Sequence, residues 1–497
     1  MHTYENPVIK GFNPDPSVCR AGDEFYLVTS TFEFFPGVPV YRSKNLANWE
    51  LAGHCLTRRS QLELMGARPS GGVYAPTIRF HNGTFYMTTT NVSHRGNFIV
   101  TAADPLGEWS DPVWVDQGGI DPSLFFDDNG SVYFTSTGSS DGRTGIYCCE
   151  LDPVTLTRVS ESVCLTLGSG GRFAEAPHLY KNGKYYYLLL AEGGTEFGHM
   201  VTVFRSGSAA GPYQPCPRNP ILTHRGADAQ SCPLQCAGHA DLFSDRYGNW
   251  WMAALAVRPL SGVMLHNLGR ETCLAPVIWE DGWPVVNDGK PLDIRMSGPL
   301  PETPEARNES FYDDFSAPNP EYLFIRNPDG DRYRRDGKTL TLRGNGAALS
   351  SLDGEPPVFL GVRQKEFFSA AEAAVSVGDG GIGGIAAYYG PGYFFAVLAE
   401  RDGGRTSVRT VLRVHGIEAV SAPVSLPDGP ATLRIEAGTD AYRLGYVDGG
   451  KFIELARGAS AGLCTEGTAS MTFTGTLFGM FCEKGEAAFR RFRVTVG

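Results

Sequence analysis

The chain has 497 residues, which is more than one compact core usually holds, so we expect at least two domains. Its net charge of −11 argues against binding nucleic acid or an anionic membrane through charge alone. The 61 glycines and 33 prolines are spread along the chain as turn residues, and few helix-length patterns occur, which favours an all-β fold.

The cysteines and the N-terminus indicate a cellular location. The 11 cysteines are an odd number at irregular spacings without a CxxC pair, so a fully paired disulfide framework and a zinc-type motif are both excluded. The first residues lack the basic segment and apolar run of a signal peptide, and no stretch approaches the roughly 18 apolar residues of a membrane helix. These features predict a cytoplasmic protein without a membrane partner.

One layout recurs five times in the N-terminal part of the chain. A small or polar residue, then Pro or Ala, any residue and an aliphatic residue precede a tight turn and an aromatic-rich strand. The units begin at Asp15, Ala75, Asp121, Ala176 and His239, with turns at 21–23, 82–83, 129–130, 182–183 and 247–249. Each unit contains a β-hairpin and enough further residues for two more strands, so the repeat predicts a five-bladed β-propeller.

A second domain is predicted after the repeats. Residues 301–310 contain prolines and charges without a period, which indicates a linker between a propeller domain at 1–300 and a domain at 311–497. Alternating patterns there predict strands at 340–342, 385–389, 393–397, 432–435 and 489–494, and hairpin turns at 402–404 and 448–450. We expect a β-sandwich, which by itself suggests no chemistry.

The repeat register predicts an active site. The first strand of each blade lines the channel of a propeller, so Asp15, Asp121 and His239 occupy equivalent positions at one mouth. Glu175 and Tyr74 each precede that position by one residue in their own units. Like charges crowded in a poorly hydrated cavity push pKa values apart. Taken alone, Asp15 and Asp121 are better explained as turn residues and Glu175 as a surface residue, but the shared register predicts a catalytic pocket with Glu175 as its proton donor.

The same segments resemble a known family. The motifs NPDPS at 13–17, TFEFFPG at 31–37, GIDPS at 119–123, EAPHLY at 175–180 and GHADL at 238–242 are similar to those of glycoside hydrolase family 43. The likeness is greatest to two-domain β-xylosidases and extends over nearly the whole chain. It implies an all-β protein, a five-bladed β-propeller followed by a concanavalin A-like β-sandwich, that hydrolyses glycosides with inversion.

The resemblance implies a role for each carboxylate. Asp15 matches the general base, Glu175 the general acid, and Asp121 a third carboxylate that orients the acid and raises its pKa. Inversion needs one protonated acid at the leaving oxygen and one ionised base that activates water on the opposite face of the sugar. The two groups should stand roughly 6.5–9.5 Å apart, which leaves room for that water.

Substrate-binding residues are implied in the same way. Phe32 and Tyr74 match positions that line the sugar pocket, although the family usually has Trp where Tyr74 stands. Arg270 matches an arginine that faces the substrate hydroxyls, and Thr195 matches a polar pocket position. Phe473 is the candidate ring that a sandwich loop would place in the pocket. The alternatives are core aromatics for Phe32 and Phe473 and an ordinary ion pair for Arg270.

Cofactor and substrate are expected as follows. His239 matches a histidine that in many family members binds a calcium-type ion or a water. Two alternatives stay open: His239 binds Ca²⁺, or it only forms hydrogen bonds with the carboxylates. No cofactor is required.

The expected activity is exo-acting release of xylose from non-reducing ends of β-1,4-xylo-oligosaccharides. The alternatives are α-L-arabinofuranosidase or dual activity and a non-catalytic carbohydrate-binding propeller. A homo-oligomer is left open.

Overall fold

The computed structural model describes residues 1–140, 142–260 and 263–497, and almost all of their regular structure is β. Strands are numbered in chain order below. Within these residues the helical elements are short 3-10 turns, at Asn287–Gly289, Gly330–Arg332, Ser460–Leu463 and Thr465–Gly467.

Five antiparallel sheets follow one another along the N-terminal part of the chain, so the predicted five-bladed β-propeller is confirmed. After β1 (His2–Glu5), blade 1 spans β2 (Ser17–Ala21), β3 (Glu24–Val28), β4 (Phe34–Phe35), β5 (Gly37–Ser43) and β6 (Glu50–Leu56), of which β4 lies outside its sheet. Blade 2 contains β7 (Thr77–His81), β8 (Thr84–Asn91), β9 (Gly96–Ala102) and β10 (Val113–Trp114). Blade 3 contains β11 (Ile120–Phe126), β12 (Val132–Ser140), β13 (Arg143–Leu151) and β14 (Val163–Thr166). Blade 4 contains β15 (Glu175–Asn182), β16 (Tyr185–Glu192), β17 (Met200–Ser206), β18 (Gln214–Pro215) and β19 (Leu222–Thr223). Blade 5 contains β20 (Gln235–Ser244), β21 (Trp250–Val257), β22 (Glu271–Glu280) and β23 (Trp283–Val286).

The predicted turns join the first two strands of each blade. In blade 2 the loop is the pair Asn82-Gly83, and both residues have positive φ, 49° and 81°. A two-residue hairpin loop of this kind needs positive φ at both positions, which Asn and Gly tolerate best. The local turn chemistry therefore fixes the register of the hairpin.

The N-terminal segment closes the propeller. β1 pairs antiparallel with β24 (Arg295–Gly298), and Ile9 forms a bridge with Thr272 in blade 5. The backbone N–H of Asn13 donates to the carbonyl of Arg270 at 2.9 Å. The chain before blade 1 is therefore bonded to the last blade, and this brings Asp15 next to residues of blade 5.

The C-terminal part forms the predicted β-sandwich. Its strands are β25 (Phe311–Asp313), β26 (Phe324–Ile325), β27 (Tyr333–Asp336), β28 (Thr339–Arg343), β29 (Val358–Arg363), β30 (Ser369–Val377), β31 (Ile382–Gly390), β32 (Tyr393–Asp402), β33 (Arg405–Val414), β34 (Ile417–Val420), β35 (Val424–Ser425), β36 (Ala431–Ala437), β37 (Ala441–Asp448), β38 (Lys451–Ala459), β39 (Leu477–Lys484) and β40 (Glu486–Val496). One sheet has the order β27-β28-β40-β30-β36-β37-β38, with β25 beside β40. The other has the order β29-β39-β31-β32-β33-β34, with β35 beside β33. All five predicted strands and both predicted hairpin turns of this region are confirmed.

Burial patterns distinguish the two parts. In β36 alternate residues are buried, so Leu433 and Ile435 face the sandwich core while Arg434 lies between them at the surface. This period of two is typical of a sheet with one solvent-exposed face. In β21 nearly every residue is buried, because a propeller blade packs against a neighbour on each face.

The sandwich is bonded to blade 1. β26 pairs with β4, with Phe324 opposite Phe35, and Leu323 belongs to one hydrophobic cluster with Phe12 and Phe34. Arg363 in β29 donates from Nε to the carbonyl of Phe12 at 2.8 Å. The cluster also includes Phe32, so the contact between the two parts extends to the mouth of the propeller channel.

The segment between the two parts lies against the N-terminus. Arg307 donates from Nη1 to the carbonyls of Pro7 and Val8, at 2.7 Å and 2.9 Å. The last strand before this segment ends at Gly298, and the next begins at Phe311. The division into domains at 1–300 and 311–497 with a linker at 301–310 stays a prediction.

Two further observations concern the whole described chain. All 11 cysteines are free thiols, and all but Cys164 are buried. Among the helices in the described ranges, none has the length and apolar character needed to cross a membrane.

Candidate active site

A pocket of about 260 Å³ opens at one mouth of the propeller channel. All nine residues predicted from the sequence line it: Asp15, Phe32, Tyr74, Asp121, Glu175, Thr195, His239, Arg270 and Phe473. The structure therefore brings together residues from all five blades and from the sandwich.

A larger cleft of about 650 Å³ lies elsewhere, between blade 1 and the segment that leads to the sandwich. Its ionisable groups include Lys365 and Glu321, which pair with each other at 2.9 Å. Mutual pairing lowers the pKa of Glu321 and raises that of Lys365 against the opposing effects of burial. Charges matched in this way are typical of structural contacts, and we regard the smaller pocket as the site of chemistry.

Strained backbone positions the polar residues of the pocket. Equivalent residues of four blades have positive φ: Asp15 (57°), Asp121 (55°), Ala176 (52°) and His239 (42°). In blades 3, 4 and 5 the pairing of the first two strands is interrupted at the same point, which marks a β-bulge. A non-glycine residue in this region costs on the order of 1–3 kcal/mol and is frequent at functional sites. The bulges redirect side chains that strict alternation would place elsewhere.

Asp15 is held as an anion. Its Oδ1 accepts a hydrogen bond from Arg270 Nη1 at 3.0 Å, and its Oδ2 accepts one from Ser30 Oγ at 2.6 Å. Burial alone would raise the pKa of Asp15, but Arg270, His239 and Ser30 together hold it below the usual value. An ionised, buried carboxylate is suited to accept a proton from water.

Glu175 and Asp121 form a coupled pair with raised pKa values. Burial and then the charge of Asp15 raise the pKa of Glu175 to about 7, against the opposing charge of Arg270. Burial raises the pKa of Asp121 well above its usual range, and the charges of Glu175 and Asp15 add to this effect. The protons of such a pair belong to both groups. The charges of Asp121 and Glu175 act on each other, and the charge of Asp15 acts on both, so the effect of Asp121 on the pKa of Glu175 stays a prediction.

Asp121 also contacts the chain next to the acid. It accepts a backbone hydrogen bond from Ala176, the residue that follows Glu175. Glu175 itself is the first residue of β15, where the strand begins with a bulge. Asp121 can therefore fix the position of the acid through the main chain, in agreement with the orienting role implied by the family resemblance.

Three aromatic rings form one wall of the pocket. The ring centroids of Phe32, Tyr74 and Phe473 are 5.7–5.8 Å apart. The guanidinium carbon of Arg270 lies 5.5 Å from the centroid of Phe32 and 5.3 Å from that of Phe473. Rings in this arrangement present edges and faces that suit the C–H groups of a sugar.

The structure places Phe473 in the propeller pocket and not in the sandwich core. Its backbone N–H donates to Ser70 Oγ at 2.9 Å, and its carbonyl accepts from Arg270 Nη2 at 3.2 Å. Ser70 is held in turn by Glu33, whose Oε2 accepts from the Ser70 N–H at 2.9 Å. Burial raises the pKa of Glu33 to about 7. The sequence did not indicate Glu33 or Ser70 as supports of this ring.

Arg270 connects several parts of the site. Besides Asp15 and Phe473 it contacts Thr195, to whose Oγ1 it donates at 3.1 Å. In the part of the chain that the structure describes, Arg270 Nε is buried without a hydrogen-bond partner. An unsatisfied buried donor is costly, and such groups are frequent where a ligand completes the bonding. The expected contact of Arg270 with substrate hydroxyls is consistent with this geometry.

His239 lies beside Asp15, with Nδ1 at 3.4 Å from Oδ1 of the carboxylate. Burial lowers the pKa of His239, so the neutral ring predominates at neutral pH. Among the described residues no group of three or more His, Cys, Asp and Glu side chains is arranged to hold a metal ion. One imidazole and one carboxylate already bonded to Ser30 and Arg270 are a poor set of donors for Ca²⁺. A calcium-type ion stays a prediction, and no step below depends on one.

Seven residues that line the pocket were not predicted from the sequence: Ala75, Ile120, Phe173, Gly194, Glu196, His199 and Met471. Phe173 and Met471 each stand two residues before a predicted site residue, and this proximity is the signal that could have indicated them. His199 donates from Nδ1 to the carbonyl of Cys236 at 2.9 Å.

A second polar layer lies two to four residues further along the first strands, and we call it the Asp241 cluster. Its members come from all five blades: Ser17, Arg79, Ser123, His178, Tyr180 and Asp241. Asp241 accepts from Ser17 Oγ at 2.6 Å and from Arg79 Nη1 at 2.8 Å, and it also accepts from the hydroxyl of Tyr180.

The charges of the Asp241 cluster are matched. Although burial opposes it, the neighbouring charge of Arg79 holds the pKa of Asp241 well below its usual range. Burial lowers the pKa of His178 to about 3, so its ring is neutral and its Nδ1 accepts from Arg79 Nη2 at 2.9 Å and Ser123 Oγ at 3.1 Å. The cluster bonds the five blades to one another at the axis.

Comparisons with known proteins agree with a carbohydrate-cleaving channel of this kind. The family model described as glycosyl hydrolases family 43 matches residues 4–284, and the model for a beta xylosidase C-terminal concanavalin A-like domain matches residues 312–495. The two matches together define a glycoside hydrolase with a concanavalin A-like sandwich. More particularly, the chain belongs to glycosyl hydrolases family 43.

Relatives of similar length are named for two activities. A non-reducing end alpha-L-arabinofuranosidase of Bacteroides ovatus is 39% identical over 96% of this chain and 91% of its own length. A putative beta-xylosidase of Escherichia coli is 34% identical, covering 89% of this chain and 88% of its own length. The solved structure of a xylan beta-1,4-xylosidase from Bacillus halodurans has a TM-score of 0.91 at 30% identity, covering 99% of this chain and 100% of that one.

Proposed function

We propose that the protein is an inverting exo-glycosidase that releases xylose from the non-reducing ends of β-1,4-xylo-oligosaccharides. The observation on which this depends most is the opposition of Asp15, an ionised carboxylate, to the Asp121–Glu175 pair, whose pKa values are raised. One buried site then supplies a base and an acid at the same pH, which is what inversion requires.

The reaction follows from these protonation states. Asp15 accepts a proton from a water molecule, whose oxygen attacks the anomeric carbon from the face opposite the leaving group. The bond between that carbon and the glycosidic oxygen breaks, and the oxygen takes the proton of Glu175. Arg270 keeps Asp15 ionised and offers donors to the sugar hydroxyls, while Asp121 orients Glu175 through Ala176. Water exclusion by the aromatic wall strengthens each of these electrostatic effects.

The size of the pocket supports exo action. A volume of about 260 Å³ lies below the roughly 300–1,000 Å³ of sites that enclose drug-sized ligands. Phe473 and Arg270 close one side through the hydrogen bond between Nη2 and the Phe473 carbonyl. Such a pocket suits one monosaccharide at a chain end and not the middle of a polysaccharide.

α-L-Arabinofuranosidase activity is the second candidate. It is favoured by the name of the Bacteroides ovatus relative and by that of a xylosidase/arabinosidase of Butyrivibrio fibrisolvens, 51% identical over 58% of this chain and 57% of its own length. Tyr74 stands where the family usually has a larger indole, and this difference changes the wall that would contact the sugar ring. Both sugars present similar hydroxyl geometry to Arg270, so one protein can act on both.

NMR spectroscopy of xylobiose hydrolysis tests the proposal, together with the rates on aryl β-xyloside and aryl α-L-arabinofuranoside. We expect α-xylose as the first product, because inversion of a β-linkage gives the α-anomer before mutarotation. The ratio of the two aryl rates decides which activity dominates. First appearance of β-xylose would contradict inversion, and no turnover of any of the three substrates would contradict the enzymatic function.

We also propose a cytoplasmic location. The support is chemical: free, mostly buried thiols at all 11 cysteines suit a reducing compartment. Fractionation of the source cells with an antibody to the protein tests this, and recovery outside the cytoplasm would contradict it.

A further inference from the structure

Phe173 is an exposed aromatic side chain within a catalytic pocket. It lines the pocket two residues before Glu175, and 56% of its surface is accessible. Its φ of 53° lies in the left-handed region, which bulky residues rarely adopt. Burial of hydrophobic area does not explain this side chain, because most of the ring is in contact with solvent.

The segment that presents Phe173 is fixed in place by a buried carboxylate. Glu192 is fully buried, and its Oε1 accepts from Ser169 N at 2.9 Å and from Thr202 Oγ1 at 2.7 Å. Its Oε2 accepts from Ser169 Oγ at 3.0 Å and from Gly171 N at 3.1 Å. A Cβ at Gly171 would stand only 2.8 Å from Glu192 Oε2, so the approach requires glycine. The exposed ring therefore stands on an ordered backbone.

Two charged residues and a glycine neighbour Phe173, and of these Glu196 and Gly194 also line the pocket. The guanidinium carbon of Arg172 lies 5.2 Å from the ring centroid, and Arg172 also forms an ion pair with Glu196. A Cβ at Gly194 would lie 3.3 Å from Phe173 Cδ2, so the glycine lets the ring lie close to the main chain. Together Arg172, Phe173 and Glu196 form a surface with one apolar ring, one cation and one anion.

The chemistry of the reaction defines what this surface contacts. Glu175 delivers its proton to the glycosidic oxygen, so the leaving sugar lies on the side of Glu175, towards the solvent-exposed rim. Phe173 stands on that side, next to the acid in the chain and at the rim in space. A β-linked pyranose has an apolar C–H face and equatorial hydroxyls, which match an aromatic ring flanked by a hydrogen-bond donor and an acceptor.

We propose that Phe173, with Arg172 and Glu196, forms the subsite that binds the leaving sugar, a β-linked pyranose residue of the oligosaccharide. This inference rests on the proposed glycosidase function. The aromatic wall of Phe32, Tyr74 and Phe473 then surrounds the sugar that is released, and Phe173 selects what that sugar is attached to.

Substrates that share the released sugar but differ in the leaving group test this subsite. We would measure kcat/KM of Phe173→Ala on xylobiose and on β-xylosyl fluoride, and inhibition by free xylose. Loss of the ring contact should lower kcat/KM for xylobiose about 10-fold, since burial of part of a phenylalanine surface is lost. Hydrolysis of the fluoride, which has no leaving sugar, and the inhibition constant of xylose should stay within about twofold.

Phe197→Ala is the matched control. Phe197 is also an exposed phenylalanine of the chain next to Glu196, with 41% of its surface accessible, but it does not line the pocket. All of its kinetic constants should equal those of the wild type. Phe173→Tyr keeps the ring and should retain kcat/KM for xylobiose within about twofold. The melting temperatures of Phe173→Ala, Phe173→Tyr and Phe197→Ala should equal that of the wild type.

Three outcomes would overturn the inference alone. An equal fall of Phe173→Ala on xylobiose and on the fluoride would show that Phe173 supports the pocket of the released sugar and not the leaving sugar. A shift of the alkaline fall of kcat/KM on xylobiose in Phe173→Ala would show that the ring acts through Glu175, because the fluoride needs little protonation by the acid. No fall on either substrate would show that the ring makes no contact. Failure of the wild-type protein to hydrolyse all substrates would instead overturn the proposed function, and this inference with it.

Discussion

The two polar layers of the propeller channel lie two to four residues apart on the same strands, and their buried charges differ in how far they are matched. In the Asp241 cluster every charge is matched, and the pKa of Asp241 is held well below its usual range. In the catalytic layer Asp121 and Glu175 face Asp15 with too few cations, and their pKa values are raised. A buried charge with a counter-ion contributes to the stability of the fold. A buried carboxylate without one costs stability, and it can exchange a proton near neutral pH.

The largest expected effect is a loss of activity after a substitution in the catalytic layer. Asp15→Asn should lower kcat/KM on xylobiose by about 10²–10⁴-fold, because the amide keeps the shape of the side chain but accepts no proton from water. Steady-state kinetics with purified protein measures this, and circular dichroism checks that the fold is retained. Turnover at the wild-type rate would remove Asp15 as the base.

A substitution in the Asp241 cluster should change the free energy of unfolding. Asp241→Asn leaves Arg79 buried without an anion, which should lower the free energy of unfolding by about 3–5 kcal/mol. Since the folded-state pKa of Asp241 is depressed, its contribution is present above the unfolded pKa of about 3.9 and is lost as the pH falls through the folded value. Urea unfolding at pH 7 and at low pH measures both effects. A variant as stable as the wild type at pH 7 would contradict the role of the cluster.

The pH dependence of catalysis tests the protonation of the Asp121–Glu175 pair in the catalytic layer. Because the pKa of Glu175 is raised to about 7 and the acid must be protonated, kcat/KM should fall about tenfold per pH unit above that value. The fall reports the coupled Asp121–Glu175 pair.

An aryl xyloside with a very acidic leaving group needs little protonation, so Glu175→Gln should reduce its hydrolysis much less than that of xylobiose. An unchanged alkaline fall in Glu175→Gln would contradict the assignment.

The smallest expected effect has the opposite sign from that of Asp241→Asn. The pKa of Asp121 is raised in the folded state, so stability is lost as the pH rises above the unfolded pKa, and an amide avoids this loss. Asp121→Asn should therefore raise the free energy of unfolding at pH 7 by about 1–2 kcal/mol while lowering activity. Destabilisation at pH 7 would show that Asp121 belongs with the matched charges.

Local chemistry explains why so much of the fold could be predicted. Turns such as Asn82-Gly83 require positive φ at both positions, so the sequence itself indicates where each hairpin bends. A repeat of such hairpins then predicts blades, and the register of the repeat predicts which residues share the channel mouth. Asp15, Asp121 and Glu175 were found in this way because equivalence between blades is a property of the chain and not of its long-range contacts.

Other features depend on contacts that no local pattern records. Phe473 was explained equally well as a core aromatic, because its position in the pocket depends on the packing of the sandwich against blade 1. The position of the segment before Phe173 depends on Glu192, the last residue of β16, which accepts from the backbone of Gly171. The pKa of Glu175 is raised first by burial and then by the charge of Asp15, and both effects depend on distances in space that the sequence does not record.

The bond between Arg270 and the Phe473 carbonyl has a consequence for the timing of synthesis. These residues are 203 positions apart, so Arg270 is synthesised well before Phe473. At about 5–20 residues per second the delay between them is roughly 10–40 s. A nascent propeller can assemble its carboxylates during that interval, but its aromatic wall stays incomplete. The order of the two domains along the chain thus sets when the aromatic wall is completed.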